Sequence, residues 1–336
     1  MKAIVYTRQT NGHYGFEYME TNMPVAMGHD LLIDVKAISI NPVDYKVKQL
    51  FEKGKYTNTI FGFDAAGIVK EVGDKVTLFK PGDKVYYAGD LTRAGSYAEC
   101  QLVDERIVGS VPNTLNFEES AALPLTSLTA WEMLFERLRL NQASKNTVLI
   151  TGAAGGVGSI TIQLLKKLTQ CTVIATYGRE DSKQWLQRLG VDHTISHKQD
   201  LHSQLRDLDI KHADTIISLT HTDDYSAQFV EILKPQGQLI FIDEPQHFDL
   251  LAFKSKSASI HMEFMFTRSM YQTADMIRQH EILNTVANLI DKKIIQTTLN
   301  ETFGEVSVAN IEKAHQMLEK GVSRGKIVLH YEKLLE

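Results

Sequence analysis

Long apolar runs are missing from this 336-residue chain. Nowhere do about 18 apolar residues follow one another, so no membrane-spanning helix is expected. Residues 1–20 hold one short strand-like run and then polar residues, without the continuous apolar segment of a secretion signal. Cysteine is scarce: Cys100 and Cys171 are the only two. Placed so far apart they cannot form a disulfide framework, which suits a reducing compartment and a cytoplasmic location. Basic charge is not in excess either. Lys and Arg number 36 against 41 Asp and Glu, a net charge of -5, and no basic cluster interrupts the pattern, so nucleic acid is not an expected partner. Internal repeats and low-complexity tracts are absent. What is present is an ordinary globular composition, 43% hydrophobic and 23% charged, long enough for two domains.

The first 120 or so residues read as short strands broken by Gly, Pro and Asn, at 3–6, 31–38, 66–72, 84–87 and 97–103, with Pro81-Gly82-Asp83 as a turn. From about Leu125 the texture becomes strand–helix alternation. Strands are expected at 147–151, 172–176, 193–195, 215–219, 238–243 and 259–266, and helices at 157–168, 182–189 and 225–233. This pattern predicts an α/β fold with a doubly wound parallel sheet. On the strand at 259–266, Met262, Phe264 and Phe266 alternate and are expected in the core. Two further helical stretches, 273–291 and 308–319, precede an apolar strand at 326–331. That strand has no partner nearby and is expected to return to the N-terminal β domain.

The most specific segment runs from Val148 through Thr151 into Gly152-Ala153-Ala154-Gly155-Gly156-Val157-Gly158. An apolar strand enters a glycine-rich turn and continues directly as a helix, the context a dinucleotide-binding fingerprint requires. Glycines allow the tight turn and the close approach of the backbone to a pyrophosphate, and the helix N-terminus faces the phosphate charge. Gly152, Ala154, Gly155, Gly156, Val157 and Gly158 are therefore candidate cofactor contacts. An NAD enzyme usually carries Asp or Glu at the tip of the second strand. Here that tip reads Thr176-Tyr177-Gly178-Arg179. Without an acid there, Arg179, helped by Lys183, can grip a 2′-phosphate, and the expected cofactor is NADPH. Thr176 and Gly178 belong to the same tip. Ser218 ends the fourth strand at the carboxyl edge that faces a dinucleotide.

With those residues in place, the chain resembles the quinone oxidoreductase branch of the medium-chain dehydrogenase/reductase superfamily, and more closely its zinc-type alcohol dehydrogenase-like proteins. The resemblance spans nearly the whole chain. It rests on Ser39-Ile40-Asn41-Pro42-Val43-Asp44, Gly62-Phe63-Asp64-Ala65-Ala66-Gly67, Phe79-Lys80-Pro81-Gly82-Asp83-Lys84-Val85, the segment from Leu123 to Trp131, the glycine turn, and Arg324-Gly325-Lys326-Ile327-Val328. It implies a discontinuous GroES-like β-rich domain (residues 1–124 and 270–336), a Rossmann domain (125–269), and a cofactor in the cleft between them. It also suggests a homodimer joined along the last Rossmann strand.

The zinc dehydrogenases place metal ligands at three places that correspond here to Asn41, Phe63 and a position near Thr126. Phe63 cannot bind zinc, and Asn41 and Thr126 are poor ligands. Asp44 and Asp64 are expected to make structural hydrogen bonds. The four-cysteine structural zinc lobe is missing, and Cys100 alone reads as a small buried hydrophobe. The histidines at 193, 197, 202, 212 and 221 match no ligand spacing. No metal is expected. Without a Lewis acid an unactivated alcohol is a poor substrate, whereas a quinone or an α,β-unsaturated carbonyl takes up charge on its conjugated oxygen as hydride arrives. The expected activity is NADPH-dependent reduction of such an acceptor. Matched to the family, Asn41 and Thr129 fall at nicotinamide or ribose contacts, Tyr45 is a candidate proton donor, and Arg268 sits at the cleft edge. The reductases commonly have their tyrosine one place later, at Lys46, so water is an alternative donor. A zinc-dependent alcohol dehydrogenase and a non-catalytic NADPH-binding sensor remain the alternatives.

Overall fold

The structure is a computed structural model and describes residues 1–331. The chain divides into two compact units, Met1–Leu128 joined by the segment from Phe266 onward, and Thr129–Met265. Residues 332–336, which the expected first domain takes in, lie outside the described residues.

In the first unit, β1 (Lys2–Arg8) and β2 (Tyr14–Glu20) form an antiparallel pair. The long strand β3 (Asp30–Ile40) is buried at Leu31, Leu32, Ile33, Val35, Ala37, Ile38 and Ile40, a near-continuous apolar run that suits a central position. Its end passes straight into helix α1 (Pro42–Glu52). Asn41 is the extended N-cap, Pro42 opens the helix, and the Asp44 carboxylate accepts the Asn41 backbone N–H at 2.7 Å. This capping arrangement ends β3 and starts α1 within a few residues. The strands β4 (Asp64–Val72), β5 (Lys84–Tyr87), β6 (Cys100–Asp104) and β7 (Val108–Ser110) follow, then the short helix α2 (Phe117–Ala121). Gly67 lets β4 approach β3 closely, since a Cβ there would lie 2.2 Å from the Asp34 carbonyl oxygen.

Helix α3 (Pro124–Trp131) leads into the second unit. There β8 (Thr147–Thr151), α4 (Gly156–Leu168), β9 (Thr172–Tyr177), α5 (Glu180–Arg188), β10 (His193–Ser196), α6 (Leu201–Asp207), β11 (Ala213–Ser218), α7 (Thr222–Ile232), β12 (Leu233–Phe241) and β13 (Ser259–Met262) alternate. All sheet pairings are parallel, in the order β10-β9-β8-β11-β12-β13. This is the Rossmann order, with its switch point at β8. Leu149, Ile174, Ile216, Phe229, Ile232 and Leu239 form one buried cluster that seats helices on the sheet.

The chain then returns to the first unit through α8 (Thr267–Met270), α9 (Arg278–Asp291), β14 (Leu299–Glu305), α10 (Val308–Glu319) and β15 (Lys326–His330). β15 pairs antiparallel with β3, Ile327 opposite Ile40 and Val328 opposite Ser39, in a sheet of order β14-β15-β3-β4-β5-β7 with β6 also paired to β3. The expected return of the last strand is therefore found.

Three local expectations are corrected. The strand expected at 97–103 begins only at Cys100, with Ala98 making a single bridge to Ala3. The helix expected from residue 273 begins at Arg278, after turns over 274–277. The strand expected at 259–266 stops at Met262, because β13 is an edge strand held only by four residues of β12. Met262 is 73% exposed and Phe264 46% exposed, so they are not core residues, whereas Phe266 is buried and packs edge-on against Phe63. The alternation that predicted one long strand spans a strand end and the start of α8.

Candidate functional site

In the second unit the expected cofactor residues gather at the carboxyl edge of the sheet. Gly152 adopts φ +68, and a Cβ there would lie 2.8 Å from Thr220 Cγ2. Gly155 is the extended N-cap of α4 and makes no side-chain cap. A Cβ on Gly155 would meet nothing nearer than the Gly152 oxygen at 3.6 Å, so the turn leaves an open cradle. Gly158 is the opposite case: a Cβ would lie 2.2 Å from the Ala153 carbonyl oxygen, and the turn packs on the helix backbone. Ala154, Gly156 and Val157 are half-buried around the cradle. The free N–H groups of the first turn of a 13-residue helix, α4, thus border a space where the backbone can receive a pyrophosphate.

Two side chains lock this corner. Trp185 of α5 donates its indole N–H to Ser159 Oγ at 2.8 Å, and Ser159 Oγ in turn donates to the Gly155 carbonyl at 2.8 Å. At the tip of β9, Thr176 is buried, and Gly178 has His197 against it, so that a Cβ would lie 2.3 Å from Nε2. Arg179 is the N-cap of α5, and its Nε lies 3.4 Å from Asp181 Oδ1 in a half-exposed pair. Lys183 sits with Nζ 5.4 Å from the Tyr177 ring centroid. Ser218 is buried in a hydroxyl chain: Thr151 Oγ1 is 3.2 Å from its Oγ and Thr222 Oγ1 is 2.8 Å away. Asp243 closes the chain by accepting the Thr222 backbone N–H at 2.9 Å. Sequence reasoning missed Thr151, Thr222 and Asp243. Thr151 ends β8, Thr222 opens α7 and Asp243 follows β12, so their meeting is visible only once the strands are known to be neighbours.

In the first unit Asn41 does not point its amide at an open site. It is 1% exposed. Its Nδ2 donates to Asp64 Oδ2 at 2.8 Å and to the Ser39 carbonyl at 3.2 Å, and its Oδ1 accepts from Lys326 Nζ. Lys326 Nζ also donates to Asp64 Oδ2 at 3.0 Å and to the Ile40 carbonyl at 3.1 Å. Asp64 Oδ1 accepts the Leu125 backbone N–H at 2.8 Å. Burial pushes the Asp64 carboxyl up and the Lys326 ammonium down, and the charge of each opposes the shift of the other. Asp44, fully buried on the first turn of α1, is pushed up to about 7, by burial first, against the pull of the Asn41 N–H and of Lys326. His315, buried with Nε2 3.0 Å from the Tyr97 hydroxyl, is driven down to about 3 by burial. Lys326 was also missed. A lysine opening the apolar run Lys326-Ile327-Val328-Leu329, with no solvent face, is the available signal.

The remaining candidates lie on three different helices. Tyr45 is half-buried on α1. Thr129 is buried in α3. Arg268 lies in α8 of the first unit and pairs at 2.8 Å with Asp275, in the segment between α8 and α9.

A six-stranded parallel sheet in Rossmann order, with a glycine turn opening α4 and a β-rich unit completed by the chain's last strand, defines the dinucleotide-linked dehydrogenases as the class. Residues 27–127 match the alcohol dehydrogenase GroES-like domain, and residues 189–329 match the zinc-binding dehydrogenase family. The chain belongs to the medium-chain dehydrogenase/reductase superfamily, among its zinc-type alcohol dehydrogenase-like proteins. A zinc-type alcohol dehydrogenase-like protein of Staphylococcus aureus (strain Mu50) is 39% identical over 94% of this chain and 95% of that one. The crystal structure of a candidate zinc-dependent alcohol dehydrogenase from Rhizobium etli CFN 42 superposes with TM-score 0.91 at 42% identity, covering 99% of both chains. The quinone oxidoreductase of Mus musculus is 35% identical over 53% of this chain and 52% of its own.

The zinc in those names can be tested on the donor set. Among the described residues no three His, Cys, Asp or Glu side chains converge. At the corresponding positions Phe63 is a buried aromatic, Thr126 Oγ1 donates to the Leu123 carbonyl at 3.1 Å, and Asn41 is spent on Asp64 and Lys326. Zinc prefers nitrogen and sulfur ligands. These residues do not fit it. The glycine cradle, by contrast, fits a phosphate-bearing dinucleotide.

Proposed function

We propose that this protein is a zinc-independent, NADPH-dependent oxidoreductase that delivers hydride to a quinone or an α,β-unsaturated carbonyl. The observation that carries the reading is the open cradle at Gly155 on the N-terminus of α4, together with a β9 end that reads Thr176-Tyr177-Gly178-Arg179, a cation where an NAD enzyme usually carries its acid. NADPH, when bound, supplies the hydride. The chain's part is to bind and orient: the turn from Gly152 to Gly158 receives the pyrophosphate, Arg179 and Lys183 receive the 2′-phosphate, and the Thr151–Ser218–Thr222 chain fixes the strand ends beneath it. The Arg179–Asp181 pair is half-exposed and long, so a phosphate dianion can compete for the guanidinium at little cost. Tyr45 and water are the candidate proton sources for the reduced acceptor, and Thr129 and Arg268 the further residues to vary. Conjugated acceptors suit a site without a Lewis acid, because hydrogen-bond donors suffice for their developing charge. We place the enzyme in the cytoplasm, its two cysteines both free and buried.

Nicotinamide fluorescence titration with NADPH and NADH, on wild type and on Arg179→Ala, tests the cofactor. We expect wild type to prefer NADPH, and the variant to lose roughly ten- to a hundredfold in NADPH affinity while binding NADH as before. Equal affinity of wild type for the two cofactors would remove the phosphate clamp. For the chemistry, NADPH oxidation is followed across a panel of quinones, enones and enals. Silence toward every one, with tight NADPH binding, would leave a cofactor-binding sensor instead. Chelator-sensitive alcohol oxidation with stoichiometric zinc would establish the zinc dehydrogenase that the relatives' names suggest.

A further inference from the structure

A fully buried lysine is rare, because an ammonium removed from water must find both a counter-charge and acceptors for its three N–H groups. Lys326 finds both at one point. Its Nζ meets the Asp64 carboxylate at 3.0 Å, the Ile40 carbonyl at 3.1 Å and the Asn41 amide oxygen, so three oxygens from the end of β3 and the start of β4 use up its three donors. The oxygens are themselves held from behind. Asp64 Oδ1 accepts the Leu125 N–H at 2.8 Å, and Asn41 Nδ2 bridges to Asp64 Oδ2 at 2.8 Å. The lysine stem is delivered by β15, whose Ile327 is registered opposite Ile40, the residue before Asn41. The result is a small, rigid, anionic oxygen cradle closed around one cation.

We propose that the Lys326 ammonium is the resident cation of this pocket, a covalently tethered ion that occupies the seat for which a metal would have to compete and so excludes zinc. Of the positions that the family's zinc ligands would take, Asn41 is part of this cradle and Phe63 directly precedes its Asp64. One is consumed by the ammonium and the other offers no donor. Lys326 is a positioning residue: it holds Asn41 and Asp64 and touches no substrate. If the ammonium is removed but the cradle kept, the pocket should accept a free primary alkylammonium ion of matching size, which offers the same three N–H donors. The inference deepens the zinc-independent part of the proposed function and rests on it.

The test is chemical rescue, read as thermal stability rather than turnover. Lys326→Ala should lower Tm by about 10 °C, since a buried carboxylate loses its partner. Ethyl- or propylammonium chloride should restore most of that loss in the variant and leave wild type unmoved. Tetramethylammonium, which has no N–H donor, and sodium chloride at equal ionic strength should not restore it. Lys326→Met, which refills the pocket without charge, should remain destabilised and unrescued. Restoration of wild-type stability by methionine, or failure of both alkylammonium ions to rescue alanine, would overturn the proposal. Should the alanine variant not fold, the wild-type holoprotein decides. After equilibration with excess zinc and desalting, metal analysis should find well under one zinc per chain. One zinc per chain that Asp64→Asn abolishes would overturn the proposal. NADPH titration of the same samples separates the two readings. Zinc uptake with NADPH binding intact sinks this inference alone, and rescue by alkylammonium in a protein that ignores NADPH supports it while sinking the cofactor reading.

Discussion

Asp44 carries the clearest consequence of burial for a single side chain. Its carboxyl is pushed up to about 7, with desolvation the largest cause, the Asn41 N–H and Lys326 pulling it down, and Asp64 pushing it up. An unfolded aspartate titrates near 4. Between those values the folded chain keeps a proton that the unfolded chain releases, so this residue's contribution to stability declines as pH rises through the window and is flat above it. Asp44→Asn removes the titration. We expect the variant to gain on wild type by on the order of 2 kcal/mol between pH 5 and pH 8, in urea unfolding at both pH values. A constant difference at the two pH values would show Asp44 ionised throughout. At this scale the sequence was a partial guide. Arg179 was legible as a cation at a strand tip, but its pairing with Asp181, two residues on, emerges only from the structure. Asn41 was legible as special, yet its partner Lys326 lies 285 positions away, and no local pattern links the two.

Among the elements, the turn between β8 and α4 has little tolerance. Gly158 sits where any Cβ would meet the Ala153 carbonyl oxygen at 2.2 Å, a backbone atom that cannot swing aside. Gly158→Ala should therefore displace the turn from the helix, costing about 1–3 kcal/mol of stability. NADPH affinity should fall at least tenfold, because the N–H groups of the first turn no longer converge. Gly155→Ala meets open space and should keep the fold, so a loss of NADPH binding there without a change in Tm would mark the cradle as the pyrophosphate seat. Calorimetric unfolding together with fluorescence titration distinguishes the two. The strand, the turn and the helix were all readable from composition. The start of α1 was readable too, as Asn-Pro-x-Asp, a capping sequence that the motif resemblance overshadowed. The end of β13 was not, because an edge strand stops where its neighbour stops pairing, and β12 gives it only four partners.

At the scale of the molecule, β13 stands at the edge of the Rossmann sheet, paired on one side only among the described residues. Met262 and Phe264 are exposed at its end. An unpaired apolar edge is a template for another strand, and we expect two copies to associate along it as a homodimer. Sedimentation at micromolar concentration should show a dimer, and Met262→Lys with Phe264→Lys should give a monomer of unchanged Tm onset in the first unit's core. A wild-type monomer would refute the pairing.

The strand–helix texture of the second unit, the glycine turn and the end of β9 at Thr176-Tyr177-Gly178-Arg179 were determined by the sequence alone, because each rests on residues within one local window whose periodicity and backbone freedom are self-contained. Even the return of the last strand could be expected, from an apolar segment with no neighbour to bury it. What only the tertiary structure decided is which distant groups share a charge. Lys326 and Asp64 meet because β15 and β4 flank β3 in one sheet. Thr151 and Ser218 join because β8 and β11 are neighbours although 61 residues of chain lie between the two strands, and Thr222 at the start of α7 extends the chain. Desolvation and ion pairing depend on distance in space, and for a buried polar group that distance is set by the sheet order and not by its position along the chain.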